Sequence, residues 1–327
     1  MNNLKKIGLT ALAGSMVAVS AANAVEMTAN GKAKITYVDE PGGNNVAAGD
    51  VTGNPYGFEQ AISFTASGET EIGTASLYFK HEAASMASAF INFDMGDAGN
   101  LSIDDGYGLA GLNAFKDVLP RAGGAEQAWD DTDGDAFILG QASAANQFGY
   151  RNSVAGFDIS ASYAKNGGSS QEDDANADGG DDSDKTIVVS TSSLMDGLTV
   201  GAGYGKLDDA DSLDIEKHST MFASYAAGPV TVAYQYAEIN EAGNDSQADM
   251  FGVSFNVNEN IAVSYNMRDV TIGDGSAGLS DQEDTGIAAS YTMGGMSLSA
   301  FQNKTDNVAG TTGREDEVTQ VTLSFSF

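Results

Sequence analysis

The final seven residues, Val321-Thr-Leu-Ser-Phe-Ser-Phe327, alternate without a break. Val321, Leu323, Phe325 and Phe327 fall on one face of an extended chain, and Thr322, Ser324 and Ser326 on the other. A strand of this kind needs a nonpolar medium on one side and accepts water on the other. Taken alone, the segment fits the edge of a soluble sandwich equally well. The same alternation recurs along almost the whole chain, and that recurrence constrains the fold.

Residues 1–24 read as a secretory leader: Lys5 and Lys6 are followed by an apolar stretch from Ile7 to Val19, then by Ala22-Asn23-Ala24, a small-x-small cleavage site. The apolar stretch is short of the roughly 20 residues a spanning helix needs. No later stretch is long and apolar enough to span as a helix. An exported chain of alternating strands that enters a membrane must close into a barrel, because only closure satisfies strand backbone groups in lipid. The expectation is therefore a barrel in an outer membrane, and hence a channel.

Composition narrows the function. Cysteine is absent and there are two histidines, His81 and His218, which excludes a disulfide framework and leaves little material for imidazole-based chemistry. Acidic residues number 46 against 15 basic ones, and loss of Lys5 and Lys6 with the leader takes the net charge to about −33. A surface of that sign repels a phosphate backbone, so nucleic acid is not a partner. Forty glycines without a fixed period suit many turns and closely packed strands.

Sixteen strands are predicted. The first covers residues 29–38, with Ala33, Ile35 and Tyr37 opposite Lys32, Lys34 and Thr36. The last begins after a loop at 303–314. Short turns, among them Ser67-Gly68-Glu69-Thr70, Gly228-Pro229 and Gly294-Gly295, alternate with longer polar loops such as 39–57, 165–184, 238–248 and 269–283. The exception is a short link at 83–86. Segregation of turns to one end and loops to the other is the connectivity of an outer-membrane barrel. An even strand number puts both termini at the turn end. Tyrosines at strand ends (Tyr37, Tyr163, Tyr204, Tyr225, Tyr236, Tyr265, Tyr291) fit aromatic girdles at the lipid–water interfaces.

With these elements in place, residues 25–327 resemble the trimeric, sixteen-stranded general-diffusion porins of Gram-negative bacteria, and most closely those of alphaproteobacteria. The resemblance rests on Thr28-Ala-Asn-Gly-Lys-Ala-Lys-Ile35, the Ser67-Gly68 turn, Leu77-Tyr-Phe-Lys-His81, Phe93-Asp-Met-Gly-Asp97 and the terminal Phe327. It implies an all-β transmembrane barrel of sixteen antiparallel strands in the cell outer membrane. It further implies an inward-folded third loop, a homotrimer, contact with lipopolysaccharide and outer-membrane lipid, and Phe327 as the signal read by the barrel-assembly machinery. The short second loop, from His81 to Met86, departs from relatives in which that loop latches onto a neighbouring subunit.

Residues 106–142 form the longest stretch without alternation, and a connection of that length is usually functional. It carries Asp117, Glu126, Asp130, Asp131, Asp133 and Asp135 against Lys116 and Arg121. In the resembling porins this loop narrows the pore, which implies a basic wall opposite it. Lys32, Lys34 and Lys80 share the polar face of their strands, and Arg151 and Arg268 are further candidates. Opposed acidic and basic walls produce a transverse field that orients dipolar solutes.

Asp131-Thr-Asp-Gly-Asp135 has the alternating acids that open a calcium loop, with Gly134 for the turn, but lacks the distal Glu of the complete motif. Calcium or magnesium at Asp131, Asp133 and Asp135 is thus an accessory expectation, and no cofactor is required. The expected function is a passive, mildly cation-preferring channel for small hydrophilic solutes and ions, and not an enzyme. The alternative is a porin selective for one solute class, although no aromatic ladder can be placed in the lumen.

Overall fold

The computed structural model describes residues 26–40, 53–83, 85–105, 110–123, 127–134, 147–165, 183–208, 215–241, 245–273 and 278–327. The predicted leader, and most of the loops expected at 39–57 and 165–184, lie outside them. The strands are β1 Glu26–Asp39, β2 Tyr56–Thr70, β3 Gly73–Glu82, β4 Ser85–Asp94, β5 Asn100–Asp105, β6 Gln147–Val154, β7 Phe157–Lys165 and β8 Ser183–Thr191. They continue as β9 Leu198–Asp208, β10 Ile215–Ala227, β11 Val230–Asn240, β12 Ser246–Asn256, β13 Ile261–Thr271, β14 Gln282–Met293, β15 Met296–Asp306 and β16 Glu315–Ser326. Each pairs antiparallel with its chain neighbours, and β1 pairs with β16 to close the barrel.

All sixteen predicted strands are present. Connections at the end holding the termini are short. Gly228 and Gly294 take the left-handed φ values of 60° and 59° that tight hairpin turns require. The longer connections lie at the opposite end, with the link after Glu82 as the exception.

Alternation places apolar side chains on the outer face. Phe58 is 67% exposed, Met221 58% and Ile287 56%, with Ile35, Leu77, Tyr163, Tyr204 and Tyr265 also outward. An apolar band of this extent is stable only against lipid. Among the described residues no helix is long and apolar enough to cross a membrane; the crossing is made by strands.

Two features differ from the sequence expectation. Strands outrun their apolar alternation at the loop end: β11 continues to Asn240 and β12 begins at Ser246, where a loop at 238–248 was expected. Beyond the bilayer both faces of a hairpin meet water, so pairing persists with polar residues on either side. Glu238 stands opposite Gln247, and Asp249 opposite Asp269. The inward face is also not uniformly polar. Val188, Phe222, Ala233, Met250 and Val270 form a buried cluster with Leu112, Phe115 and Leu119 of the β5–β6 connection.

The seam between first and last strands is tied at its end by two backbone bonds. Gly31 N–H donates to the Phe327 carbonyl at 3.2 Å, and Phe327 N–H to that of Gly31 at 2.9 Å.

Candidate functional site

Among its described residues the β5–β6 connection has a 3-10 turn at Gly111–Phe115 and otherwise turns and bends, so the backbone groups there need other partners. They find them on the polar faces of the strands. Gly111 N–H donates to Ser160 Oγ of β7 and Leu112 N–H to Thr186 Oγ1 of β8, each at 3.0 Å. The Phe115 carbonyl accepts from Gln235 of β11 at 2.8 Å. On β13, Asn266 donates to the Pro120 carbonyl at 3.0 Å, and Ser264 Oγ accepts from Ala122 N–H at 2.8 Å.

After residues 124–126, which lie outside the described residues, the same pattern resumes. Asn303 of β15 donates to the carbonyls of Gln127 and Asp130 at 2.7 and 2.9 Å. Thr132 and Thr305 share a hydroxyl bond at 2.8 Å, and Asp133 N–H donates to Asp316 of β16 at 2.7 Å.

Apolar contacts carry as much of the first half as these bonds do. A neutral hydrogen bond contributes about 1 kcal/mol net, whereas a fully buried Leu or Phe contributes about 1.5–3 kcal/mol. Glycines on β9 make the room: a Cβ at Gly203 would lie 2.9 Å from Leu112 Cδ2, and one at Gly205 would lie 2.5 Å from Leu112 Cδ1.

The predicted acidic residues fall into three environments. Asp117 pairs with Arg121 at 3.5 Å, one helical turn apart in sequence. Asp130 accepts from Gln127 N–H at 2.9 Å. Burial raises its pKa, the Gln127 bond partly offsets that rise, and the charges of Asp117 and Asp131 add to it. Burial also raises Asp131, with the nearby Lys34 charge opposing. Asp133 forms an ion pair with Arg314 at 3.1 Å. Glu40, just past β1, is raised by burial and by Asp316, Asp133 and Asp131, so it joins this acidic group although it carried no sequence signal. Glu126 and Asp135 lie outside the described residues. Among the described residues no three carboxylates or imidazoles are arranged to hold a metal ion.

The predicted basic residues prove to be largely paired. Lys34 Nζ lies 2.8 Å from Glu59 on β2, and Lys80 forms an ion pair with Glu82. Lys32 sits on the same face of β1, beside Ser326 and Ala61 in register. Lys34 is brought within electrostatic reach of Asp131.

Arg151 instead borders a cavity of about 660 Å³ at the turn end, with Asp97, Asn100, Asp158, Ser160 and Ser190; its one described hydrogen bond reaches Asn92 at 3.5 Å. Arg268 is buried against Asp284 and Trp129. The partners Glu59 and Glu82 were visible in the sequence, since each shares the polar parity of its lysine. Asp284 and Trp129 were not.

The profile describing Gram-negative porins matches residues 8–327. The chain belongs to the Gram-negative porin family. It is a β-barrel channel of the outer membrane, not an enzyme.

Solved structures agree on the fold. A porin refined at 1.8 Å resolution is similar at 19% identity and a TM-score of 0.64, over 92% of this chain and 100% of that one. OmpF of Salmonella typhi, in complex with daunomycin, gives 17% identity and a TM-score of 0.63, over 92% and 97%. The anion-selective porin of Comamonas acidovorans gives 14% and 0.61, over 93% and 100%. At such identities the likeness concerns the fold alone. No curated protein matches the chain.

Proposed function

We propose that this porin is a water-filled general-diffusion pore for small hydrophilic solutes and ions, narrowed by residues 106–142 and mildly selective for cations. The observation that carries the reading is the row of hydrogen bonds from the β5–β6 connection to polar-face side chains of β7, β8, β11, β13, β15 and β16. A segment bonded along that face occupies one side of the lumen and leaves the passage along the sector of β1 to β6. Deleting residues 115–133 should enlarge single-channel conductance and admit bulkier solutes in a liposome-swelling assay. An unchanged exclusion limit would remove the constriction.

Cation preference follows from which charges remain unpaired. Lys34 and Lys80 are offset by Glu59 and Glu82, so the wall supplies less positive charge than its lysines suggest. Asp131 and Glu40 add negative charge near the loop, and a negative pore mouth concentrates cations. A reversal potential across a KCl gradient tests the sign.

The substrate-selective reading has one observation in its favour, the cavity where Arg151, Asp97 and Asp158 meet serine and asparagine side chains. Saturable current block by a zwitterionic solute would support it.

Assembly as a homotrimer belongs to this reading on the strength of the sequence resemblance. Crosslinking in detergent is the check. Affinity with the alphaproteobacterial porins, contact with lipopolysaccharide and the role of Phe327 as an assembly signal belong to the same proposal. They rest on the sequence resemblance.

A further inference from the structure

Both halves of the β5–β6 connection are held by neutral hydrogen bonds to the wall, and the second half adds a charged anchor. Residues 110–122 are held by neutral hydrogen bonds and by the apolar cluster around Leu112 and Phe115. Residues 127–134 end at a buried ion pair between strands β13 and β14. Arg268 is 2% exposed and Asp284 is fully buried, with Nε donating to Oδ2 at 2.7 Å. The same guanidinium donates through Nη2 to the Gly134 carbonyl, and its Cζ lies 4.5 Å from the ring centroid of Trp129.

The surroundings fix this geometry. Thr305 Oγ1 donates to Asp284 Oδ1 at 2.6 Å, and Gln282 Nε2 donates to the Gly134 carbonyl at 3.0 Å. A side chain at position 134 would push these groups aside, because a Cβ there would lie 2.6 Å from Asp284 Oδ1 and 2.7 Å from Thr305 Oγ1. Arginine is used here in two ways at once. Its N–H groups bind a carboxylate and a carbonyl, and its charge lies over an indole ring; a lysine ammonium supplies only the charge.

Trp129 and Gly134 bracket Asp130, Asp131 and Asp133 in the chain. We propose that Arg268 is the positioning residue of the pore, gripping the loop at both ends of its acidic stretch and thereby fixing where those carboxylates stand against Lys34 and Arg314. The proposal deepens the constriction reading and rests on it. Releasing the grip loosens residues 127–134, leaving them on their bonds to Asn303, Thr305, Asp316 and Arg314, while residues 110–122 stay attached, so the acidic arc fluctuates more within an intact barrel.

Trp129 is the only tryptophan in the chain, so its fluorescence reports on the contact directly. The informative variant is Arg268→Gln with Asp284→Asn. Removing both charges together avoids leaving Asp284 as a buried, unpaired carboxylate. In the purified, detergent-solubilised protein, emission should shift to the red and acrylamide quenching should rise. Far-UV circular dichroism and heat-modifiable gel mobility should stay unchanged. In planar bilayers the open-channel current should become noisier and the reversal potential should move away from cation preference. Arg268→Lys keeps the charge, and should leave gel mobility unchanged without preserving protection from acrylamide.

Unchanged emission, quenching and current noise in the double variant would overturn the proposal. Should that variant not assemble, Gly134→Ala disrupts the same grip from the loop side, and a quiet current there overturns it equally. The deletion of residues 115–133 separates the two readings. If it leaves conductance unchanged, the constriction falls and the role of Arg268 falls with it. If it enlarges conductance while the substitutions have no effect, only the grip is lost.

Discussion

Lys34 on β1 and Glu59 on β2 stand opposite each other in the strand register and close to 2.8 Å between ammonium and carboxylate. Lys80 and Glu82, two residues apart on β3, form a second ion pair within one strand. At Lys34 and Lys80 the positive charge is therefore offset by a carboxylate within the wall itself.

That pairing makes the effect of substitution depend on which partner is removed. Glu59→Gln leaves Lys34 uncompensated and should move the KCl reversal potential toward anions. Lys34→Gln should move it toward cations, and the double variant should fall near the wild-type value. The shifts should shrink at high salt, because both groups are partly exposed and screening shortens their reach. Shifts of the same sign from both single variants would show that the two charges do not act as a pair.

Selectivity should also depend on pH in a range set by the loop. Asp130 and Asp131 are both raised above the ordinary carboxylate value, chiefly by burial. Their neutral forms are favoured in the folded protein. Their contribution to stability is therefore full below the ordinary carboxylate pKa, and is lost as pH rises through the raised values. As pH falls from neutrality these two and Glu40, which is raised as well, protonate ahead of carboxylates at their ordinary values, so cation preference should decline early. Asp130→Asn with Asp131→Asn should reduce that early decline in a pH series of reversal potentials. An identical pH profile in the double variant would assign the titration to other groups.

The glycines of β9 make a packing prediction. A methyl at position 205 would meet Leu112 at 2.5 Å, and one at 203 would meet Leu112 at 2.9 Å and Val188 at 2.8 Å. Gly205→Ala should displace the 3-10 turn from the wall at a cost of about 1–3 kcal/mol, the range for overfilling a packed site. Conductance should change while gel mobility stays barrel-like. Leu112→Ala in the same chain should restore conductance, since it removes the methyls that collide.

How far the sequence could be read depended on where each residue's partner lay. The apolar alternation of Leu298 and Ala300 on β15, or of Val321, Leu323 and Phe325 on β16, is set by neighbours two positions away and by lipid, so it was legible. The ends of β11 and β12 were not, because outside the bilayer nothing requires residues such as Glu238 and Asp249 to alternate with apolar ones. Lys34 and Lys80 were correctly placed on the polar face, yet their acidic partners change what they do. Inward Val188, Phe222, Met250 and Val270 contradict a simple polar lumen; they are explained only by the loop that covers them. The glycines at positions 201, 203 and 205 are a visible row whose meaning depends on Leu112 and Phe115, far away in the chain. The contact of Arg268 with Trp129 spans still more sequence and leaves no periodic trace.

The terminal residue closes the barrel as well as ending the chain, and the two roles can be separated. Phe327 exchanges backbone bonds with Gly31, and its Cδ2 would lie 3.3 Å from a Cβ at that position. Its side chain is 79% exposed on the outer face, so the ring contributes little to the seam itself. Phe327→Ala keeps both backbone bonds and should refold from urea into detergent micelles with a yield near that of the unaltered chain. In cells, the same variant should accumulate less in the outer membrane, because the exposed ring is the part a protein receptor can recognise. Removing the residue altogether also deletes the two seam bonds and should lower the yield in both settings. Equal accumulation of Phe327→Ala and the unaltered chain in cells would show that the ring is not read during assembly. A loss confined to micelles would place its role in the seam instead.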